Sequence, residues 1–117
     1  MKIYIAGKIS GDPEYKVKFA RTKRLIRRAV KIAFRGEEDF TPYAPIAVLN
    51  PAELPAGMAP ADYMRICLSM IDSADAVVFQ PSVTESKGAQ MELLYCEYVG
   101  KPYGVLPKSW EDSDGSH

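Results

Sequence analysis

Short apolar runs alternate with longer segments of helical periodicity along the 117 residues of the chain. The apolar runs have the length and the bounding Gly, Pro and Asn residues of strands, and they cover 2–7, 46–51, 76–80 and 101–106. The helical segments cover 14–34, 61–75 and 88–99. Alternation of this kind indicates βαβ units. We therefore expect an α/β domain with a mainly parallel sheet of four or five strands and helices on both faces.

The first helical segment carries its own start signal. Asp12 is suited to cap a helix, and Pro13 suits the first helical position because its missing N–H has no partner there. The apolar positions that we expect to face the sheet are Val17, Ala20, Leu25, Ala29 and Ala33. Nine of the fifteen basic residues fall within 16–35, and a solvated helix face explains this run better than a nucleic-acid surface.

Length and composition predict one domain and limit the classes of partner. The domain is expected to span 1–108 and to be followed by a polar, disordered tail over 109–117. The formal net charge is zero, so no overall field favours nucleic acid or an anionic membrane. No run of 18 apolar residues suggests a membrane span, and the N-terminus lacks the features of a signal peptide.

Cysteine and histidine are too few for a metal site or a disulfide framework. Cys67 and Cys96 are the two cysteines, without CxxC spacing, and His117 is the single histidine. We therefore expect no metal and no cofactor. The same usage predicts a reducing, cytoplasmic setting.

The carboxyl ends of the predicted parallel strands mark where a ligand should bind. Three segments come directly after such ends: 7–11, the loop after 46–51, and 81–88. In the first, Gly7 and Gly11 flank a hydroxyl, and glycines let backbone N–H groups approach an anion at a helix start. The segment matches neither GxGxxG nor a P-loop, so a plain strand-to-helix turn remains the alternative.

Glu92 is the acidic residue whose helical surroundings stand out. Its neighbours one turn away include Gly88, Ala89 and Cys96, a face of small side chains that would leave a concavity beside the carboxylate. The nearby helix N-terminus favours the ionised form, which suits attack on an anomeric carbon. A first-turn glutamate that only complements the helix dipole is the alternative. Tyr4, on the first strand, is either a core residue or a group that reaches the same cleft.

Three stretches resemble one known superfamily. "YIAGKISG" (4–11), "SADAVVF" (73–79) and "SKGAQMELLYCEYVGKP" (86–102) are similar to the nucleoside 2-deoxyribosyltransferase-like proteins, which include 2′-deoxynucleoside 5′-phosphate N-hydrolases and small uncharacterised bacterial and phage relatives. The similarity extends from about 2 to 106. It implies a flavodoxin-like (Rossmann-like) three-layer sandwich, a nucleoside or nucleotide as the small-molecule partner, and a homo-oligomer in which a neighbour often completes the site.

The resemblance also implies roles for individual residues. Glu92 takes the position of the nucleophile that attacks C1′ of the sugar, and Tyr4 that of the tyrosine beside it. The substrate-binding positions are Gly7, Ile9, Ser10 and Gly11 in the first turn, with Ser86 and Gly88, where Ser86 matches a serine that contacts the 5′-phosphate. The implied activity is cleavage or transfer of an N-glycosidic bond.

Two positions depart from the pattern of these proteins. Cys67 stands where an aspartate usually contacts the sugar or protonates the base, and a thiol is a poor proton donor to a leaving base. Asp72, about one turn further on, is a possible substitute, although its direction from the helix is not the same. Ser10 stands where the monophosphate hydrolases carry arginine. A nucleotide-binding or sensing module without turnover is therefore a second hypothesis, and a nucleic-acid-associated protein is a third.

Overall fold

The computed structural model describes residues 1–33 and 47–109. Four strands form one sheet: β1 (Lys2–Ala6), β2 (Ala47–Leu49), β3 (Ala76–Phe79) and β4 (Tyr103–Val105). Three α-helices accompany them: α1 (Tyr15–Ala33), α2 (Pro60–Ser73) and α3 (Lys87–Val99). Short 3₁₀ turns come after β2 at Pro51–Glu53 and after β3 at Pro81–Glu85.

The four strands of the described part are all parallel, in the order β2-β1-β3-β4. β1 lies inside the sheet, where Tyr4 is aligned with Leu49 on one side and with Val77 on the other. Parallel neighbours require a crossover between them, and the helices supply it. The predicted α/β sandwich with a parallel sheet is confirmed.

The sheet separates two apolar cores, because successive side chains of a strand point to opposite faces. Ile3 and Ile5 of β1 pack with Phe19 and Ile26 of α1 on one face. Tyr4 and Ala6 face the other way and pack in a cluster with residues of both α2 and α3, including Cys67, Ile71, Ala89 and Cys96. Helices therefore cover both faces of the sheet. Tyr4 lies on the face covered by α2 and α3, and α3 carries Glu92.

The buried face of α1 differs from the predicted one. Among the side chains of α1 that the structure describes, Phe19, Thr22 and Ile26 are buried, whereas Val17 is 57% exposed and Ala29 is also exposed. A helix face with Phe19 and Ile26 buries more apolar surface than the predicted face, which consists largely of alanines. The helix is therefore more stable with Phe19 and Ile26 against the sheet. The side chain of Ala33 lies outside those that the structure describes. Among the described basic residues of α1, Lys16, Arg24, Arg27 and Arg28 are exposed.

The start of α1 matches the sequence in part. The Asp12 carboxylate accepts a hydrogen bond of 2.9 Å from the Glu14 backbone N–H, and it forms an ion pair of 2.9 Å with Lys18. Pro13 precedes the helix, which begins at Tyr15, rather than occupying its first turn. Tyr15 thereby comes to lie at the edge of the sheet where the strands end.

Two predicted segments lie outside the described residues. These are the break between α1 and β2, over 34–46, and the polar tail apart from its first residue, over 110–117. Within the part of the chain that is described, no helix combines the length and apolar character needed to span a membrane.

Candidate active site

A cavity of about 620 Å³ opens at the carboxyl edge of the sheet, where the topology of a parallel sheet predicts a ligand site. Its walls come from the three segments that come after β1, β2 and β3, together with the first turns of the helices. The polar, aromatic and glycine residues at the centre of its lining are Gly7, Ser10, Tyr15, Tyr63, Glu85, Ser86, Lys87, Gly88 and Glu92, with Ile9 beside them. The wall after β2 is mostly apolar and includes Leu54, Pro55 and Met58.

Glu92 and Tyr4 form a buried pair at the floor of this cavity. The Tyr4 hydroxyl donates a hydrogen bond of 2.7 Å to Oε2 of Glu92. Tyr4 is fully buried and Glu92 is 5% exposed, although Glu92 is still one of the residues that line the cavity. Strand β1 and helix α3 thus meet through one short hydrogen bond to an acid. The two residues that the resemblance places in the centre of the site are in direct contact.

The charge state of Glu92 differs from the sequence expectation. Burial raises the pKa of its carboxyl from 4.5 to about 7, while the hydrogen bond from Tyr4 acts in the opposite direction. Glu92 lies in the second turn of α3, and the stabilisation of anions by a helix dipole falls off beyond the first turn. Desolvation therefore outweighs the dipole. At neutral pH the protonated and ionised forms of Glu92 are both populated.

Cys67 lies behind this pair instead of in the cavity wall. It is fully buried on α2, close to the Tyr4 and Tyr63 hydroxyls. Burial and the nearby Glu92 carboxylate raise the pKa of the thiol, against the effect of the two hydroxyls. The Tyr63 hydroxyl donates to the Pro51 carbonyl oxygen at 3.1 Å. The thiol therefore stays protonated and supports the site from behind.

Asp72 does not substitute for an acid at position 67. It is exposed on α2, and its Oδ1 accepts a hydrogen bond of 2.6 Å from the Tyr95 hydroxyl. Five residues separate positions 67 and 72, which places their side chains on different faces of the helix. The different direction of Asp72 from the helix, already evident from the sequence, agrees with its exposed position and its bond to Tyr95.

The turn after β1 contributes three of its four predicted residues. Gly7, Ile9 and Ser10 line the cavity, whereas Gly11 is not among the lining residues. Gly11 has a φ of +82°, a left-handed conformation that glycine adopts without strain. Gly7 is required by a close approach, because a Cβ there would lie 2.7 Å from Oε1 of Gln80. Gly11 therefore shapes the turn, and Gly7 lets the buried Gln80 pack beneath it.

Ser86 and Gly88 line the cavity at the start of α3. The Ser86 side chain accepts the Ala89 backbone N–H at 3.2 Å, so it caps the helix, the plainer of its two predicted roles. Its hydroxyl hydrogen remains a donor for a ligand. A Cβ at position 88 would contact only the end of the Met64 side chain at 3.5 Å and the Ser86 hydroxyl oxygen at 3.8 Å.

Sequence reasoning missed the aromatic residues of the cavity wall. Tyr15 is the first residue of α1, and Tyr63 lies in the first turn of α2. In a βαβ unit the helix starts at the edge where the strand ends, so an aromatic residue in a first helical turn is a usable signal. The loop after β2 was expected to border the site, but its apolar residues were not singled out.

The donor set in the described part of the chain does not suit a metal. No group of three or more His, Cys, Asp or Glu side chains there is arranged to hold an ion. The buried acid of the cavity is paired with a tyrosine hydroxyl instead. The arrangement provides a buried carboxylate of adjustable charge, a second acid at the start of α3, hydroxyl donors and a largely apolar wall.

A sequence profile for a domain of unknown function (DUF4406) matches residues 1–103. The chain belongs to the DUF4406 family. A search of curated protein sequences finds no match. The family description names no activity, so the DUF4406 assignment leaves the chemistry to be argued from the site.

A solved structure described as a 2-desoxiribosyltransferase from Leishmania mexicana resembles this DUF4406 domain, with a TM-score of 0.55 and 21% sequence identity. The alignment covers 90% of this chain but only 63% of that protein, so the DUF4406 domain spans less than two thirds of its length. At this identity the likeness shows the fold. This DUF4406 domain therefore shares its α/β fold with that protein.

Proposed function

We propose that this DUF4406 domain cleaves or transfers the N-glycosidic bond of a (deoxy)nucleoside or its 5′-monophosphate, with Glu92 as the nucleophile. The observation that carries the proposal is the Glu92 carboxyl, buried at the floor of the cavity and hydrogen-bonded by Tyr4 at 2.7 Å. The fold shared with a protein named as a 2-desoxiribosyltransferase supports it.

Glu92 and Tyr4 have distinct tasks in this proposal. Because Oε2 accepts the hydrogen bond from the Tyr4 hydroxyl, the other carboxylate oxygen, Oε1, is left to attack C1′ of the sugar. The new bond forms between that oxygen and C1′ as the bond from C1′ to the base nitrogen breaks, and the bonding electron pair leaves with the base. The base then takes up a proton from water in the open cavity. Tyr4 is a positioning residue, since it holds and stabilises the ionised acid.

The glycosyl ester on Glu92 is then resolved in one of two ways. Water attacking C1′ gives the free sugar, which is net hydrolysis, whereas the nitrogen of a second base gives a new nucleoside, which is transfer. In both cases Glu92 departs as a carboxylate, so the enzyme is regenerated without a cofactor. The ring-stacking surfaces available to a base are Tyr15, Tyr63 and the apolar wall after β2.

The position of Cys67 favours a second candidate, a nucleotide-binding or sensing module. A thiol stands where the related enzymes carry an acid, and it lies behind Tyr4 rather than in the cavity wall. A site without that acid has less assistance for the departing base. The homo-oligomer implied by the resemblance stays a prediction for either candidate.

The two candidates are separated by measuring base release and binding on the same samples. A panel of deoxynucleosides and their 5′-monophosphates is incubated with the wild type, with and without an acceptor base, and free or exchanged base is quantified by chromatography. We expect release by the wild type and a loss of about a thousandfold or more in Glu92→Gln, since the nucleophile is removed. Glu97→Gln, the same change on the exposed side of α3, should keep activity. Calorimetric binding without base release would support the sensing module.

A further inference from the structure

The charges around the cavity bear on which form of substrate it accepts. Among the described residues of its lining, three have formally charged side chains: Glu85, Lys87 and Glu92. Two of them are acids, and no arginine belongs to this set. Binding sites for phosphate monoesters rely on arginine or lysine clusters, because the ligand carries a charge of about −1.5 to −2 at pH 7. The described lining, with two acids and one lysine, lacks the excess of positive charge that would balance a phosphate.

The start of α3 is the end of the helix that favours an anion, and one of its backbone N–H groups already has a side-chain acceptor. The Ser86 side chain accepts the Ala89 N–H. Glu85 comes immediately before this capping residue, is exposed and lines the cavity. A carboxylate at the start of a helix complements the positive end of the dipole. Glu85 therefore adds a negative charge to the cavity wall beside the start of α3, where a phosphate would otherwise be favoured.

We propose that the cavity selects the unphosphorylated nucleoside over its 5′-monophosphate and that Glu85 is the residue that excludes the phosphate. The inference rests on the proposed function, and it narrows the substrate to a neutral nucleoside. A like charge at contact distance across a partly screened cavity changes binding by roughly a factor of ten or more. Lys87 offsets part of this repulsion, and Glu92 adds to it when ionised.

Titration calorimetry tests this inference with a deoxynucleoside and its 5′-monophosphate as matched ligands. The wild type should bind the nucleoside at least about tenfold more tightly than the monophosphate. Glu85→Gln should reduce that ratio severalfold, and so should added salt, because both weaken the repulsion. Glu97→Gln removes the same charge from the other side of α3 and should leave the ratio unchanged.

The outcomes separate this inference from the proposed function. Binding without base release contradicts catalysis but still gives the affinity ratio, and a preference for the nucleoside then upholds the inference. A monophosphate that binds as tightly as the nucleoside overturns it, whether or not base is released. An unchanged ratio in Glu85→Gln also overturns it, and so does the absence of binding of both ligands.

Discussion

At the scale of single residues, Glu92 is subject to two opposing influences. Burial favours the neutral acid, and the hydrogen bond from Tyr4 favours the carboxylate. The resulting pKa of about 7 leaves part of Glu92 ionised at neutral pH, as the proposed nucleophilic role requires. Tyr4 can act only as a donor in this pair, because burial and the neighbouring carboxylate raise its own pKa well above the ordinary value. The balance between the two effects sets the charge of the acid on which the proposed reaction depends.

Tyr4→Phe tests this balance directly. Removing the hydroxyl takes away the hydrogen bond that lowers the pKa of Glu92, so that pKa should rise from about 7 by about one unit. Carbon-13 NMR titration of the glutamate carboxyls measures it. Tyr95→Phe removes a hydroxyl that is bonded to the exposed Asp72 and serves as the control. A pKa of Glu92 that is unchanged in Tyr4→Phe would show that the hydrogen bond does not control the charge.

At the scale of elements, the turn after β1 connects the two faces of the sheet. Gly7 forms part of the cavity wall, and Gln80, 2% exposed, lies directly against it. The Gln80 side chain donates to the Thr22 hydroxyl of α1 at 3.1 Å, and that hydroxyl in turn donates to the Lys18 carbonyl oxygen. The position of the cavity wall therefore depends on a buried contact to the helix on the opposite side.

Gly7→Ala should destabilise the domain by about 1–3 kcal/mol, the usual cost of an added group in a packed interior. The new Cβ would lie 2.7 Å from Oε1 and 3.2 Å from Cβ of Gln80, which is held by its bond to Thr22. Urea denaturation measures the change. Gly104→Ala is the control, since nothing lies within 4 Å of a Cβ there, and it should stay within about 0.5 kcal/mol of the wild type. Equal effects of both substitutions would contradict the contact.

Periodicity in the sequence predicted the elements, whereas features that depend on side-chain size were missed. The alternation of strands and helices was sufficient for the parallel sheet and for the edge where the cavity lies. The prediction of the buried face of α1 was wrong, because Phe19 and Ile26 pack against the sheet and Val17 does not. The pairing of Glu92 with Tyr4 was expected from the resemblance, whereas helix geometry alone left the orientation of Glu92 open.

At the scale of the whole molecule, ionisation of the buried Glu92 lowers the free energy of unfolding as the pH rises. The folded state favours protonated Glu92, because its pKa is raised from 4.5 to about 7. The associated stability is complete below about pH 4.5 and is lost as the pH rises through about 7. The shift corresponds to about 3 kcal/mol. The burial of Cys67 and the positions of Tyr15 and Tyr63 in the cavity wall also depend on how the elements assemble, so the sequence alone did not predict them.

The pH dependence of unfolding isolates this contribution. The free energy of unfolding of the wild type, relative to that of Glu92→Gln, should fall by about 3 kcal/mol between pH 4.5 and pH 8. Glutamine does not titrate, so the difference between the two proteins removes the effect of the remaining acids. Denaturant titrations at four or more pH values provide the data. Parallel curves for the two proteins would mean that Glu92 has an ordinary pKa.

The covalent bond that we propose between Glu92 and C1′ of the substrate is tested most directly by trapping it. A nucleoside with a fluorinated arabinosyl sugar slows breakdown of the glycosyl ester, since the electron-withdrawing fluorine destabilises the oxocarbenium-like transition state. Peptide mass spectrometry after incubation should locate one fluorosugar on the peptide that contains Glu92. Release of base with no sugar on the protein, or with the sugar on a different residue, would contradict a glycosyl-enzyme formed on Glu92.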